Sequence, residues 1–282
     1  MDLADIRRLV IIAMFSDDVL FDQLALKGGN AVNLVHRLGT RSSVDVDLSL
    51  QKDFDDVEDS RDRIFRALRA RFSEVGFSVF DEKFGERPPE ENVEDAKWGG
   101  YQVEFKLFET AKYKPIENDP DRARREALVI GPAEQRVFRI HISKYEYCDG
   151  KVQTELEDYS IYVYTPAMLA IEKLRAICQQ MPEYPMRRYA TPRARDFYDI
   201  FAIITGIGVI LNSSENLELV QNIFAAKAVD LRLIPRIEVH RDFHRQDWPS
   251  VELTTSGALE SFDYYFDFVI EQTKLLKSLW DE

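Results

Sequence analysis

Two stretches of the chain alternate apolar and polar positions without a break. In Val44-Asp45-Val46-Asp47-Leu48, the three apolar residues take one side and Asp45 and Asp47 the other, which is the period of a half-buried strand. Tyr101-Gln102-Val103-Glu104-Phe105-Lys106-Leu107 repeats the pattern, with Gln102, Glu104 and Lys106 on its polar side. Further strands are expected at 24–26, 77–80, 137–143 and 160–164, with Asp149-Gly150 as a turn between extended segments.

Elsewhere the period is helical. Ile6, Val10, Ile11, Met14 and Leu20 give residues 3–22 an apolar side. Ile64, Phe65, Leu68 and Phe72 do the same for a helix that stops at Gly76. Ala31, Leu34, Val35 and Leu38 predict a helix that starts just after Gly28-Gly29 and ends at Gly39. Thr165-Pro166 is a cap followed by proline at the first helical position. From there helices are expected over 166–181, 194–207, 215–228 and 257–280, the last with Leu259, Phe262, Phe266, Val269 and Leu276 as its stripe. The pattern over 110–131 settles no element and admits a short helix at 120–128. Residues 85–100, GERPPEENVEDAKWGG, are expected to form an exposed hairpin loop. The fold class is therefore α+β. A mixed first half, 1–165, precedes a mainly helical second half, 166–282.

Composition narrows this picture only slightly. The 282 residues are 45% apolar and 31% charged, an ordinary globular balance. Cys148 and Cys178 make neither a disulfide framework nor a zinc site and are expected to be buried thiols. No signal peptide and no apolar run of membrane-spanning length is found, so a cytoplasmic protein with no membrane partner is expected. The net charge of −13 argues against broad non-specific binding of nucleic acid. One region is locally basic: between 173 and 195, Lys173, Arg175, Arg187, Arg188, Arg193 and Arg195 stand against the single acid Glu183.

The chemistry concentrates at residues 26–50. Two carboxylates side by side on a strand repel each other, and a divalent cation relieves that repulsion. Just upstream, Gly28-Gly29 permits close approach to the backbone and leaves N–H groups available at a helix start. Together these features point to a metal-dependent nucleotide site. The histidines point nowhere: His36 lies on a helix and His141 mid-strand. His240 and His244 have the spacing of a metal pair without an HExxH glutamate. The sequence contains no G-x-S-x-G elbow, P-loop or G-x-G-x-x-G fingerprint.

Lys27-Gly28-Gly29 followed by the two-aspartate strand resembles the nucleotidyltransferase superfamily of DNA polymerase β type. The fuller pattern K-G-G, then R-x-S-x-D-x-D through Arg41, Ser43, Asp45 and Asp47, resembles the AbiEii/AbiGii toxins, the toxin halves of type IV abortive-infection systems. EKLRA at Glu172-Lys173 and RARDFYDI at 193–200 extend the likeness. The resemblance implies a polymerase-β-like core with a mixed sheet, and a C-terminal helical domain that completes the active-site cleft. It also implies magnesium-dependent transfer of a nucleoside monophosphate from an NTP, with release of pyrophosphate. The tRNA 3′ end is the leading acceptor and a separate antitoxin, often a transcriptional regulator, the expected partner.

On this resemblance Asp45 and Asp47 are catalytic metal ligands. Glu104, on the polar side of its strand, is the candidate third carboxylate, with Glu109 the fallback if the register differs. Two magnesium ions are expected, manganese being the alternative. Lys27, Gly28, Gly29, Arg41, Ser43, Lys173 and Arg195 are the candidate nucleotide contacts. Asp196 and Asp199 would orient Lys173, a metal-bound water or the base. One alternative transfers to a protein or small-molecule hydroxyl. Another is a non-catalytic nucleotide-binding regulator, favoured if Glu104 does not face the two aspartates.

Overall fold

The alternating segments assemble into one mixed sheet of seven strands. The computed structural model describes residues 1–38, 44–88, 98–131, 134–186, 189–255 and 257–281. The chain divides into two compact units. The first comprises Met1–Asn30 and Ser43–Val163, the second Ala31–Ser42 and Tyr164–Glu282. Residues 31–38, read from the sequence as part of the first half, thus group with the second.

The first unit runs α1 (Leu3–Phe15), α2 (Asp18–Gln23), β1 (Leu24–Lys27), a single helical turn α3 (Gly28–Asn30), β2 (Val46–Leu50), α4 (Val57–Glu74), β3 (Phe77–Arg87) and β4 (Gly100–Glu109). It continues through α5 (Thr110–Tyr113), α6 (Pro120–Glu126), β5 (Phe138–Ser143), β6 (Val152–Leu156) and β7 (Tyr159–Val163). The strand order is β3-β4-β5-β2-β1-β7-β6. β2 runs parallel to β5 and β1 parallel to β7, while the other pairs are antiparallel.

Alternation decides which face is buried. Val46 and Leu48 pair across the sheet with Ile140 and Ile142, and those pair with Val103 and Tyr101; all are nearly inaccessible. Helices α1 and α4 pack on each other and on the sheet. Phe72 from α4 meets Phe105 of β4 at 5.8 Å between ring centroids, and Phe105 meets Phe138 of β5 at 5.5 Å. The opposite face of β2, β5 and β4 carries the polar residues. Gly100 shows how tightly β4 is held, because a Cβ there would collide with the backbone carbonyl of Ile142.

The second unit opens with a π-helical turn, Ala31–Val35. It then contains α7 (Pro166–Cys178), α8 (Ala194–Ile207), α9 (Ser214–Ala226), a 3₁₀ segment Leu231–His240, α10 (Arg241–Arg245), α11 (Trp248–Thr254) and α12 (Phe262–Lys274). Helix α7 packs against α8 and α9, and α8 against α12. Phe197 of α8 is fully buried. It stacks on Phe266 at 4.9 Å and meets the edge of Phe262 at 5.6 Å. Cys148 and Cys178 are both buried and not disulfide-bonded. No helix among the described residues is long and apolar enough to cross a membrane.

Several expected boundaries move, each for a local reason. The apolar stripe over 3–22 is cut in two because the Asp17 carboxylate accepts the N–H groups of Val19 and Leu20 and caps a new helix. β3 extends to Arg87, well into the expected loop, because it pairs antiparallel with β4 as far as Gly100; residues 89–97 lie outside the described residues. The helix after Gly28 is one turn continued by the π-helical stretch to Val35. The last helix begins at Phe262, not at 257. The extended segment expected after the Asp149-Gly150 turn is edge strand β6, which is largely exposed.

Because Phe197 is the ring that three neighbouring aromatics share, Phe197→Ala is expected to cost about 3–5 kcal/mol of stability, read as a lowered urea midpoint. An unchanged midpoint would remove it from the core of the second unit.

Candidate active site

Antiparallel pairing of β1 with β2 sets Lys27 directly opposite Asp47, which brings the glycine turn beside the carboxylate. Gly28 has φ +67°, in the left-handed region, and a Cβ built on it would run into Asp47 Oδ2. Glycine is therefore required twice over, by backbone and by space. Asn30, fully buried, donates from its side-chain amide to the Asp45 carbonyl oxygen at 2.7 Å and so pins the segment entering β2. Asp45 and Asp47 lie on the polar face of the sheet, opposite the buried Val46 and Leu48.

Lys27 points inward. Its Nζ lies 3.2 Å from Glu146 Oε1, and the two side chains are only 9% and 6% exposed. An ammonium taken that far out of water needs a countercharge, and Glu146 supplies one. Glu146 is itself fixed by its backbone N–H donating to the Leu50 carbonyl. Arg41 and Ser43, the other upstream candidates, lie outside the described residues.

The register then separates two residues that the sequence could not tell apart. β5 lies between β2 and β4. His141 pairs with Asp47 on one side and with Gln102 on the other. Glu104 shares the face but is a strand further out, paired with Arg139. Its Oε1 accepts from Gln102 Nε2 at 2.7 Å and from Arg139 Nε at 3.1 Å, and Lys83 Nζ stands 3.9 Å from Oε2. Glu109 sits at the far end of β4, paired with Phe77 and bridged to Lys112. The residue beside the aspartates is thus His141, whose Nε2 is 3.6 Å from Asp45 Oδ2. That contact, together with the charges of Asp47 and Asp45, raises the imidazole pKa against the opposing effect of burial. Among the described residues, no three His, Cys, Asp or Glu side chains as placed form a metal-holding group by themselves.

A second cluster belongs to the helical unit. Helix α7 buries Leu169, Ile171, Leu174 and Ile177, and carries Lys173 on its flank. Asp196 and Asp199 stand one turn apart on α8. Lys173 Nζ is 2.6 Å from Asp199 Oδ2 and 3.2 Å from Asp196 Oδ1, and none of the three side chains is more than 11% exposed. Arg193 closes the group, with its Nε 2.6 Å from Asp196 Oδ2. Arg195 turns the other way, and its Nε donates to Ser250 Oγ at 3.1 Å. Two carboxylates against a lysine and an arginine nearly balance in charge and hold the Lys173 amine in one place.

Behind this cluster sits His244, fully buried against Phe197 and Phe243. Its Nδ1 accepts the backbone N–H of Arg193 at 3.2 Å, which ties down the start of α8. Burial, with His240 nearby, pushes its pKa down to about 4. Arg193, His141 and His244 were not singled out from the sequence as site residues. Arg193 was visible as part of a basic run and as the first residue of RARDFYDI, without a role of its own. His141 alternates correctly within FRIHIS, but which strand it would face is not encoded locally.

The chain is similar to known proteins at two levels. A family model described as the nucleotidyl transferase AbiEii toxin of the type IV toxin–antitoxin system matches residues 10–269. Among solved structures, a "putative nucleotidyltransferase from H. pylori" is similar at 14% identity over 98% of this chain and 94% of that one, with a TM-score of 0.51. That likeness is one of fold. An antigenic nucleotidyltransferase-like protein from Paracoccidioides brasiliensis is 13% identical over 80% of this chain and 94% of that one, but its TM-score of 0.38 is too low to argue from. No curated protein matches significantly.

Two predictions arise from this geometry. Gly28→Ala must adopt a left-handed backbone and displace Asp47, so a loss of about 1–3 kcal/mol is expected in chemical unfolding; a variant as stable as the parent would contradict the close approach. For His244, the unfolded chain takes up a proton below about pH 6.5 while the folded chain resists until about pH 4. Stability is therefore lost as pH falls through that window, by about 3 kcal/mol for this group. Comparing urea unfolding at pH 7.5 and 4.5 should show a slope that His244→Gln flattens; parallel slopes would exclude the linkage.

Proposed function

The chain belongs to the AbiEii family of nucleotidyl transferase toxins of type IV toxin–antitoxin systems, and from that membership we propose that it transfers a nucleoside monophosphate from an NTP to a tRNA 3′ end, with pyrophosphate leaving. The observation that carries this reading is the arrangement at the start of β2, where Asp45 and Asp47 share a polar face beside Gly28, at which a Cβ would strike Asp47. Triphosphate chemistry asks a protein mainly for charge neutralisation and alignment. Both demands are assigned here to the chain's own side chains.

The donor set fits a hard divalent cation. Asp45 and Asp47 offer carboxylate oxygens, and the Cβ-free Gly28 keeps the space against Asp47 Oδ2 open. Magnesium is the proposed ion and manganese the alternative. When bound, it supplies neutralisation of charge on the phosphate oxygens. The chain's own groups do the remainder. Gly28 and Gly29 let the triphosphate approach the backbone, and Lys173 is the cation proposed to meet it. Asp196 and Asp199 hold that amine still. Lys27, opposite Asp47 in the strand register and paired with Glu146, is assigned to the nucleotide on family resemblance. Arg41, Ser43 and Arg195 are assigned to the nucleotide on family resemblance, and Glu104 is assigned to holding Arg139. A separate antitoxin, acting as a transcriptional regulator in the cytoplasm, is the proposed partner.

One observation favours a second acceptor. The net charge of −13 disfavours a polyanion and suits a protein or small-molecule hydroxyl. Incubation with each α-labelled NTP, magnesium and total cellular RNA separates the two. Label in the tRNA band with one NTP is expected, falling more than about 100-fold in Asp47→Ala. Label on protein or a small molecule would overturn the tRNA assignment. Acceptor binding should also weaken steeply with salt if phosphates are contacted, and stay flat if they are not.

A further inference from the structure

On the polar face, the two aspartates have one immediate neighbour that the chemistry above does not use. β5 intervenes between β2 and β4, so the side chain beside Asp47 is His141, while Glu104 is a strand removed and engaged by Gln102 and Arg139. Resting on the nucleotidyltransferase reading, we propose that His141 is the third protein ligand of the divalent ion held by Asp45 and Asp47, which makes the site imidazole–dicarboxylate.

The distances permit it. Two donors of one ion, each bound at about 2.1 Å, can stand no more than about 4.2 Å apart. His141 Nε2 and Asp45 Oδ2 stand 3.6 Å apart. The three side chains are neighbours, not a closed cage, and the imidazole is 39% exposed, so it has room to turn between rotamers. Exposure also means that its path to an ion on the polar face is not blocked by the core. Glu104 has no comparable freedom. Bringing it to the aspartates would break its contacts with Gln102 and Arg139 and carry it across the width of β5.

This ligand set has a consequence for metal choice. A neutral imidazole replaces what would be a third carboxylate, so the ligands carry less negative charge and one softer donor. Hard, oxygen-preferring magnesium gains least from that exchange, and manganese and later first-row ions gain more. Preference for manganese over magnesium in the bare protein is therefore set by His141.

The test uses the full chain with Mn²⁺, alone and with inorganic tripolyphosphate, which carries no nitrogen to confuse the signal. Electron spin-echo spectroscopy of protein labelled with ¹⁵N-histidine should show a directly bound imidazole nitrogen. The coupling should vanish in His141→Gln, and the preference for manganese over magnesium should fall about tenfold in His141→Asp. Bound Mn²⁺ without a histidine coupling, or a coupling that survives His141→Gln, would overturn the proposal. The unsubstituted protein alone decides the first of these, so a variant that folds poorly does not blunt the test. If Mn²⁺ binding needs Asp47 but shows no histidine nitrogen, His141 is excluded while the two-aspartate site stands. If Mn²⁺ does not bind at all, both fall.

Discussion

The site depends on the pairing of β2 between β1 and β5. That pairing places Val46 and Leu48 in the core and so commits Asp45 and Asp47 to the other face. A slip of one residue would bury two carboxylates, at a cost no local contact could offset. The same register puts Lys27 opposite Asp47 and carries the chain into Gly28 at the one place where a side chain would strike that carboxylate. Hydrophobic burial on one side of the sheet thus fixes the chemistry on the other.

The helical unit meets a different constraint. Lys173, Asp196 and Asp199 are nearly buried, with Arg193 half-buried at their edge, and the three buried charges are tolerable there only because their partners are present. Removing one carboxylate would leave a cation short of a partner in a poorly solvated place. The aromatic packing around Phe197 and the acceptor bond from His244 to the start of α8 hold the helix in the orientation that the cluster requires. Electrostatics and packing are coupled here, which explains why a neutral buried histidine lies so close to charged groups.

What the sequence made legible was local. The alternation around Asp45 and Asp47, the glycine turn and the helical spacing of Asp196 and Asp199 follow from periodicity within a few residues, and family resemblance linked them. The mixed α+β fold was legible for the same reason. Strand order was not, because it depends on long-range pairing. Glu104 and His141 both sit on polar sides of good strands, and only the insertion of β5 makes one a neighbour of Asp47 and the other not. Lys27 was read as a nucleotide contact, and its burial was hidden because Glu146, its partner, lies far along the chain. The division of residues 3–22 was hidden differently: a capping aspartate overrode an apolar stripe that continued through it.

The most direct measurement is pyrophosphate release from NTP in the presence of magnesium and cellular RNA, comparing the parent chain with an Asp47→Asn variant whose unfolding midpoint is retained. The account predicts steady release by the parent and almost none by the variant. Equal release from both would show that the transfer chemistry resides elsewhere and that the aspartate pair on β2 is not its centre.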